Sequence, residues 1–199
     1  QVLKEPYSCK KARVVLREMA ESMALSLVEK HLVTDQVVVD VGYDAESLTR
    51  PEIRAKYKGD VSTDRYGRQV PKRVHGSAGL QPPTASSQRI AEAVMKTYDR
   101  IVNPDLLVRY LNLTVNHVVN ENAVGRTDEG IQLDMFTDYE AVERQKRAEA
   151  AALAKERRLQ EAQLAIKRKF GKNAILKGTS FEEGATAIER NRQIGGHKA

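Results

Sequence analysis

The chain has 199 residues, of which 41% are hydrophobic and 30% charged, and it carries a net charge of +6. This is enough apolar material for one modest core plus an appended segment. No apolar run approaches the roughly 20 residues of a membrane span, so no membrane partner is expected. A single cysteine excludes an internal disulfide and a cysteine-rich zinc module, and it suits a reducing, cytoplasmic compartment. The opening residues, Gln1-Val2-Leu3-Lys4, show neither an initiator Met nor a leader pattern, and the chain reads as a fragment of something longer.

Gln1 to Tyr7 reads as a short extended segment, with Pro6 suited to a sheet edge. Ser8 can cap a helix that runs to about Lys30, with Ala12, Leu16, Met19, Met23 and Leu27 as its apolar stripe. Residues 35–43 alternate as a strand, with Val37, Val39 and Val41 on one face and Gln36, Asp40 and Gly42 on the other. A long loop is expected from Asp44 to about Pro71. It carries a basic cluster: from Arg50 to Arg73 there are eight basic and three acidic residues, nearly the whole charge surplus. Lys72 to Leu80 predicts another strand, with Val74, Ala78 and Leu80 inward and Arg73, His75 and Ser77 outward. Pro82-Pro83 breaks it. Thr84, Ser86 and Ser87 compete to cap a second helix with the stripe Ile90, Val94, Tyr98 and Ile101, ended by Asn103-Pro104. A last strand spans Leu106 to Val119. Leu107, Leu111, Leu113 and Val115 face one side of it, and Tyr110, Asn112, Thr114 and Asn116 the other.

The order β-α-β-β-α-β predicts an α+β domain over residues 1–119, a four-stranded antiparallel sheet with both helices on one face. The opposite face, with Arg73, His75, Ser77, Asn112, Thr114 and Asn116, is polar and has a basic rim. Such a face can dock a phosphate backbone, but antiparallel sheets also commonly leave one polar face to water, and the pattern alone favours that plainer account. The same element order fits an RNA-recognition module. That module stacks bases on strand aromatics, whereas the strands here offer only Tyr43 and Tyr110, and Phe136, Phe170 and Phe181 all lie in the tail. Backbone contact with a duplex fits better. Its expected contacts are Lys72, Arg73, His75, Ser77 and Arg109, with contributions from Lys56, Lys58, Arg65 and Arg68.

Catalytic chemistry has little to stand on. Asp40 and Asp44 suggest a two-metal carboxylate pair, but no third carboxylate sits on a neighbouring predicted strand. His31, His75, His117 and His197 are scattered without metal-ligand spacing. Cys9, at a helix start, has no evident partner, and no phosphate-binding Gly-rich loop is present. No catalytic residue, metal or cofactor is therefore expected in this chain.

Residues 120–130 are polar turn formers and read as a linker. Gln132-Leu133-Asp134-Met135-Phe136 follows, and Thr137-Asp138-Tyr139-Glu140 forms a capping box for the next helix. Either Met135 and Phe136 pack on that helix, or Gln132 to Phe136 is a tethered peptide ligand whose apolar anchors enter a pocket on another protein. A charged helix is expected over 137–172, with Leu159, Ala162, Ile166 and Phe170 on one face of its second half and Gly171 as the residue that ends it. Residues 173–199 are expected to be loosely ordered.

The Gln-Leu-Asp-Met-Phe run resembles the bacterial sliding-clamp-binding pentapeptide, with Met135 where Leu is common. The preceding 119 residues resemble the little finger of Y-family DNA polymerases of the UmuC-like, ImpB/MucB/SamB group. The likeness rests on Val2-Leu3-Lys4-Glu5-Pro6-Tyr7, on Lys72-Arg73-Val74-His75-Gly76-Ser77 ahead of the Pro-Pro-Thr helix entry, and on Val108-Arg109-Tyr110-Leu111-Asn112-Leu113. The tail is similar to the Gram-positive form of this group, through Lys169 to Gly178 and Ile188-Glu189-Arg190-Asn191. The resemblance implies a role in error-prone translesion synthesis and the SOS response, near the nucleoid. It places catalysis and its Mg²⁺ in palm and fingers domains upstream, which act as partners of this part. It also implies that the sheet lies against the major groove of primer-template DNA, mainly on phosphates, while Gln132 to Phe136 engages the clamp. The competing reading is a non-catalytic adaptor with a peptide-docking tail and no nucleic-acid role.

Overall fold

A side-chain period of two and an apolar spacing of three and four divide most of the chain into a sheet and the helices that cover it. The computed structural model describes residues 1–124, 139–194 and 197–198. β1 (Val2–Tyr7) passes through Ser8 into α1 (Cys9–Glu29), and the Ser8 hydroxyl caps that helix by accepting the Lys11 amide. β2 (Leu32–Tyr43) is followed by the short helices α2 (Glu46–Thr49) and α3 (Pro51–Lys56) and by a hairpin of β3 (Val61–Thr63) and β4 (Gln69–Pro71). β5 (Val74–Thr84) precedes α4 (Ser87–Ile101), which Ser86 caps by accepting the Arg89 amide at 3.1 Å. β6 (Val108–Asn116) and β7 (Val119–Asn120) close the domain, with a single 3-10 turn at Glu121–Ala123. The long helix α5 (Tyr139–Phe170), a 3-10 turn at Gly178–Phe181, α6 (Ala187–Arg190) and the antiparallel pair β8 (Gln193–Ile194) and β9 (His197–Lys198) complete the chain.

The main sheet is antiparallel throughout, in the order β1-β6-β2-β5, and β7 pairs with the start of β2 at Leu32 and Val33. Its register puts apolar side chains in rows across one face: Ala78-Val37-Val115, then Gly76-Val39-Leu113, then Val74-Val41-Leu111. α1 and α4 cover that face. Ala12, Val15, Leu16 and Ala20 from α1 and Ile90, Val94 and Tyr98 from α4 are essentially inaccessible to water. The Tyr98 hydroxyl donates to the Cys9 carbonyl at 2.9 Å, which ties the two helices at one end. Gly76 is where β5 and α4 come closest: a Cβ there would stand 2.8 Å from Ile101 Cγ2 and 3.1 Å from Thr97 Cγ2.

The expected mixed architecture of antiparallel sheet and helices is present, and several details differ. The segment from Asp44 to Pro71 is an arm of two helical turns and a hairpin, where a loop was expected, and Ile53 and Tyr57 pack against the core. β5 runs on to Thr84, although its ladder with β2 breaks between Gly79 and Thr84, where Pro82 and Pro83 lie. Leading into β6, the residues facing inward are Leu106 and Val108, while Leu107 is only half-buried. Arg109 is an extra residue between the pairs Gly42–Tyr110 and Tyr43–Val108, and this bulge reverses the alternation. Asn120 to Val124, expected to begin a linker, belong to the fold: Asn120 pairs in β7, and Val124 packs on the core.

α5 docks mainly through polar side chains, with Leu164 also packed against the core. The expected stripe does not make the contact, since Leu159 is 58% and Phe170 67% exposed. Instead Gln160, 5% exposed, donates to the Ala85 carbonyl at 3.0 Å and to the Ser87 hydroxyl at 2.8 Å. Glu156 accepts from the Ser86 hydroxyl and the Gln88 amide, a carboxylate set at the N-terminus of α4. Gly171, at φ 98°, ends the helix. Residues 173–192, part of the 173–199 tail expected to be loose, lie on α1 and β1. Glu18 accepts the amides of Thr186 and Ala187 at 2.9 and 3.0 Å, Lys177 pairs with Glu21, and Arg190 donates to the Gln1 side chain at 2.9 Å.

Replacing Gln160 with Ala leaves the buried Ala85 carbonyl without a partner and costs about 1–3 kcal/mol. Hydrogen exchange will show the loss in the second half of α5, with β2 unchanged. Leu159→Ala costs less than about 0.5 kcal/mol. The reverse order of these two effects would contradict the polar docking.

Candidate nucleic-acid interface

The face of the sheet away from α1 and α4 is uncovered by any described element. The same register that builds the core aligns its polar rows: His75-Asp40-Asn112, then Ser77-Val38-Thr114, then Gly79-Gln36-Asn116. Asn116 donates to Gln36 at 2.7 Å, and Asn112 donates to both Asp40 and Thr114 at 3.3 Å. These bonds hold the amides flat between the strands and spread polar groups across the β2–β6 seam. His75, Ser77 and Thr114 are exposed.

One end of this face is cationic. Gly42 pairs with Tyr110, and its missing side chain opens a path over the sheet. The Arg73 guanidinium uses that path and lies 4.7 Å from the centroid of the Tyr110 ring. A Cβ on Gly42 would stand 3.0 Å from Tyr110 Cβ and 3.4 Å from Arg73 Nε. Arg109 is carried by the β6 bulge. It donates to the Lys4 carbonyl at 3.0 Å and lies 3.7 Å from the Asp44 carboxylate. Bulges re-aim side chains in this way.

The arm continues the positive rim. Lys72 pairs with Asp60 at 2.9 Å, which raises its pKa through the hydrogen bond and then the charge. Arg68 pairs with Asp64 at 2.8 Å. Its pKa is raised by that bond first, and the charge of Asp44 adds to the shift, so Asp44 lies in the field of both Arg68 and Arg109. Among the described residues, Lys56, Lys58 and Arg65 form no ion pair.

The expected contacts therefore fall into two groups. Arg73, His75, Ser77 and Arg109 share the sheet face and its end, whereas Lys56, Lys58, Arg65, Arg68 and Lys72 belong to the arm or its base. Sequence reasoning missed Gly42 and Tyr110 as the seat of Arg73. The glycine on an otherwise polar strand face, opposite an aromatic, was the available signal. Asp40 and Asp44 are separately engaged: Asp40 accepts from Asn112, and Asp44 accepts the Glu46 amide at 2.8 Å. Among the described residues no three His, Cys, Asp or Glu side chains converge as a metal site, and no helix is long and apolar enough to cross a membrane. Gln132, Leu133, Asp134, Met135 and Phe136 lie outside the described residues.

A family model for the impB/mucB/samB family C-terminal domain matches residues 2–135. The chain belongs to this family. A search of curated proteins found no match. The impB/mucB/samB match takes in the whole sheet, both covering helices and the arm, and it leaves α5 and the tail outside. Membership points to the C-terminal part of a UmuC/ImpB-type translesion polymerase.

In this family domain the Arg73–Tyr110 contact is a separable unit. A double-mutant cycle of Arg73→Ala and Tyr110→Ala, followed by urea denaturation, will give a coupling of about 0.5–1 kcal/mol. Gly42→Ala, whose Cβ would press on Tyr110 Cβ at 3.0 Å, will reduce that coupling. Zero coupling in the unmodified background would remove the seat assigned to Arg73.

Proposed function

We propose that this chain is the DNA-holding and clamp-tethering part of an error-prone translesion polymerase and carries no catalytic activity of its own. The observation that supports this most directly is the uncovered polar sheet face, with Arg73 and Arg109 at its end, in a domain of the impB/mucB/samB family. The geometry suits backbone contact. Flat rows of amides and hydroxyls approach a groove without inserting a side chain, while the rim cations neutralise phosphates. Arg73, His75, Ser77 and Arg109 form the primary duplex contacts. Lys56, Lys58, Arg65, Arg68 and Lys72 extend the positive field along the arm. Catalysis and its Mg²⁺ belong to palm and fingers domains of the parent protein, in the cytoplasm at the nucleoid.

Gln132 to Phe136 is the proposed ligand of a bacterial sliding clamp. The body holds both flanks of the segment that contains it. Val124 packs on the core, and α5 is fixed through Gln160, Glu156 and the Arg89–Glu149 pair. Clamp attachment therefore acts on the domain that holds DNA, which raises the effective concentration of each site for the other.

Anisotropy titration with blunt duplexes of unrelated sequence tests the first part. Log K will fall with log salt by about 0.9 per phosphate neutralised. Arg73→Ala will weaken all duplexes alike and flatten the slope by about one contact. Salt-independent binding, or none, would favour the adaptor reading. For the second part, Phe136→Ala will reduce affinity for purified clamp about thirtyfold, the effect of losing an anchor worth about 2 kcal/mol. Equal binding of both proteins would refute the clamp assignment.

A further inference from the structure

The arm ends in a tip whose aromatic ring the duplex reading does not use. Tyr66, between β3 and β4, is 67% exposed. The other tyrosines of the domain are engaged or covered: Tyr43 and Tyr98 are buried, Tyr7 packs against the core, Tyr57 donates to the Asp60 carbonyl, and Tyr110 carries Arg73. Folding gains little from the Tyr66 ring, yet its backbone is closely fixed. Asp64 Oδ1 accepts the amides of Tyr66 and Arg68 at 2.8 and 2.9 Å, and Gly67 takes the left-handed turn at φ 78°. Partial desolvation pushes the Asp64 carboxyl up. The Arg68 amide, the Arg68 guanidinium and the Tyr66 amide outweigh it and hold the group below its ordinary range.

Two guanidiniums flank the ring. The Arg65 Cζ stands 4.7 Å and the Arg68 Cζ 5.4 Å from its centroid. They differ in their other bonds. Arg68 is tied to Asp64, whereas Arg65 bonds only the Tyr66 hydroxyl and forms no ion pair among the described residues. Asp60 and Asp64, the carboxylates of the hairpin, are taken by Lys72 and Arg68. Among the described residues, Lys56, Lys58 and Arg65 form no ion pair. An exposed aromatic on a fixed backbone, with cations around it, matches a polyanion that carries flat rings.

We propose that the β3–β4 tip is a stacking site for an unpaired base of single-stranded nucleic acid, with Tyr66 as the platform and Arg65 as the phosphate contact. The base must be unpaired because a base inside a duplex is already stacked on both faces. Recognition is sequence-tolerant, since every base offers a π-face. The inference rests on the nucleic-acid reading above, and it adds a second site with a different strand preference.

The full 199-residue chain contains no Trp, so Tyr66→Trp introduces a lone indole reporter. It is titrated at low salt with a single-stranded oligo(dT), a blunt duplex of equal length, and poly-glutamate of matched charge. The single strand is expected to quench the indole saturably, and poly-glutamate is not. Tyr66→Ala is expected to weaken single-strand binding about tenfold by anisotropy. Its duplex affinity, and the response of that affinity to Arg73→Ala, stay unchanged. Three results would overturn the site: no indole quenching at saturating single strand, equal single-strand affinity of Tyr66→Ala and the unmodified chain, or equal quenching by poly-glutamate. If these occur while the duplex binds with its Arg73 dependence, the tip fails alone. If neither nucleic acid binds, the reading beneath it fails as well.

Discussion

Burial of only one face of the sheet is the constraint on which the rest of the structure depends. Val37, Val39 and Val41 are sealed under α1 and α4, so every alternate residue on β2, β5 and β6 must point away. A shift of one residue would put His75, Asp40 and Asn112 in the core and the valines in water. The core therefore fixes the polar face without any contact on that face being strong. At about 25 cal/mol per Å² of apolar surface, the sealed residues outweigh the long Asn112 bonds many times over. The polar face is set by what lies behind it.

Two departures from regularity give that face its charge. At Gly42 there is no Cβ to crowd Tyr110 Cβ, which would lie 3.0 Å away, where Arg73 crosses to the ring. Without the bulge at Arg109, the β6 alternation would keep Leu107 inward and re-aim the guanidinium that stands beside Asp44. The arm adds the remaining cations, and it is attached where Asp44 and Lys72 meet the sheet end. The arginines of the face therefore sit at or beside irregular positions, whereas the regular positions supply the scaffold and the neutral polar rows.

The regular positions were the legible ones. Spacing of three and four located α1 and α4, alternation located β2 and β5, and Ser8 announced α1 as its cap, while Thr84, Ser86 and Ser87 competed for the α4 cap that Ser86 provides. The failures share a cause: each involves an interaction that leaves no hydrophobic period. α5 docks through Gln160 and Glu156, which look solvent-facing in sequence, while its visible stripe, with Leu159 and Phe170, stays largely in water. The tail is held by Glu18, a carboxylate on the buried side of α1 that bonds two backbone amides. The parity change in β6 comes from a single extra residue, and no alternation rule reports a bulge before the partner strand is known. For the candidate site, Arg73, His75 and Ser77 were readable as outward residues, whereas alternation alone put Arg109 on the face of Leu107 and Leu111. Their common end of the sheet, and the separation of the arm from it, required the register.

The central claim is that the face opposite the helices, and not the helical layer, is the DNA-holding surface. The most direct measurement is an amide and side-chain chemical-shift map of the isotopically labelled chain, titrated with a short blunt duplex. The account predicts saturable shifts at Arg73, His75, Ser77, Asn112 and Thr114, alternating along β5 and β6. It also predicts unshifted signals on the outer surfaces of α1 and α4. Shifts confined to the helical layer, or spread without alternation over the sheet, would contradict it.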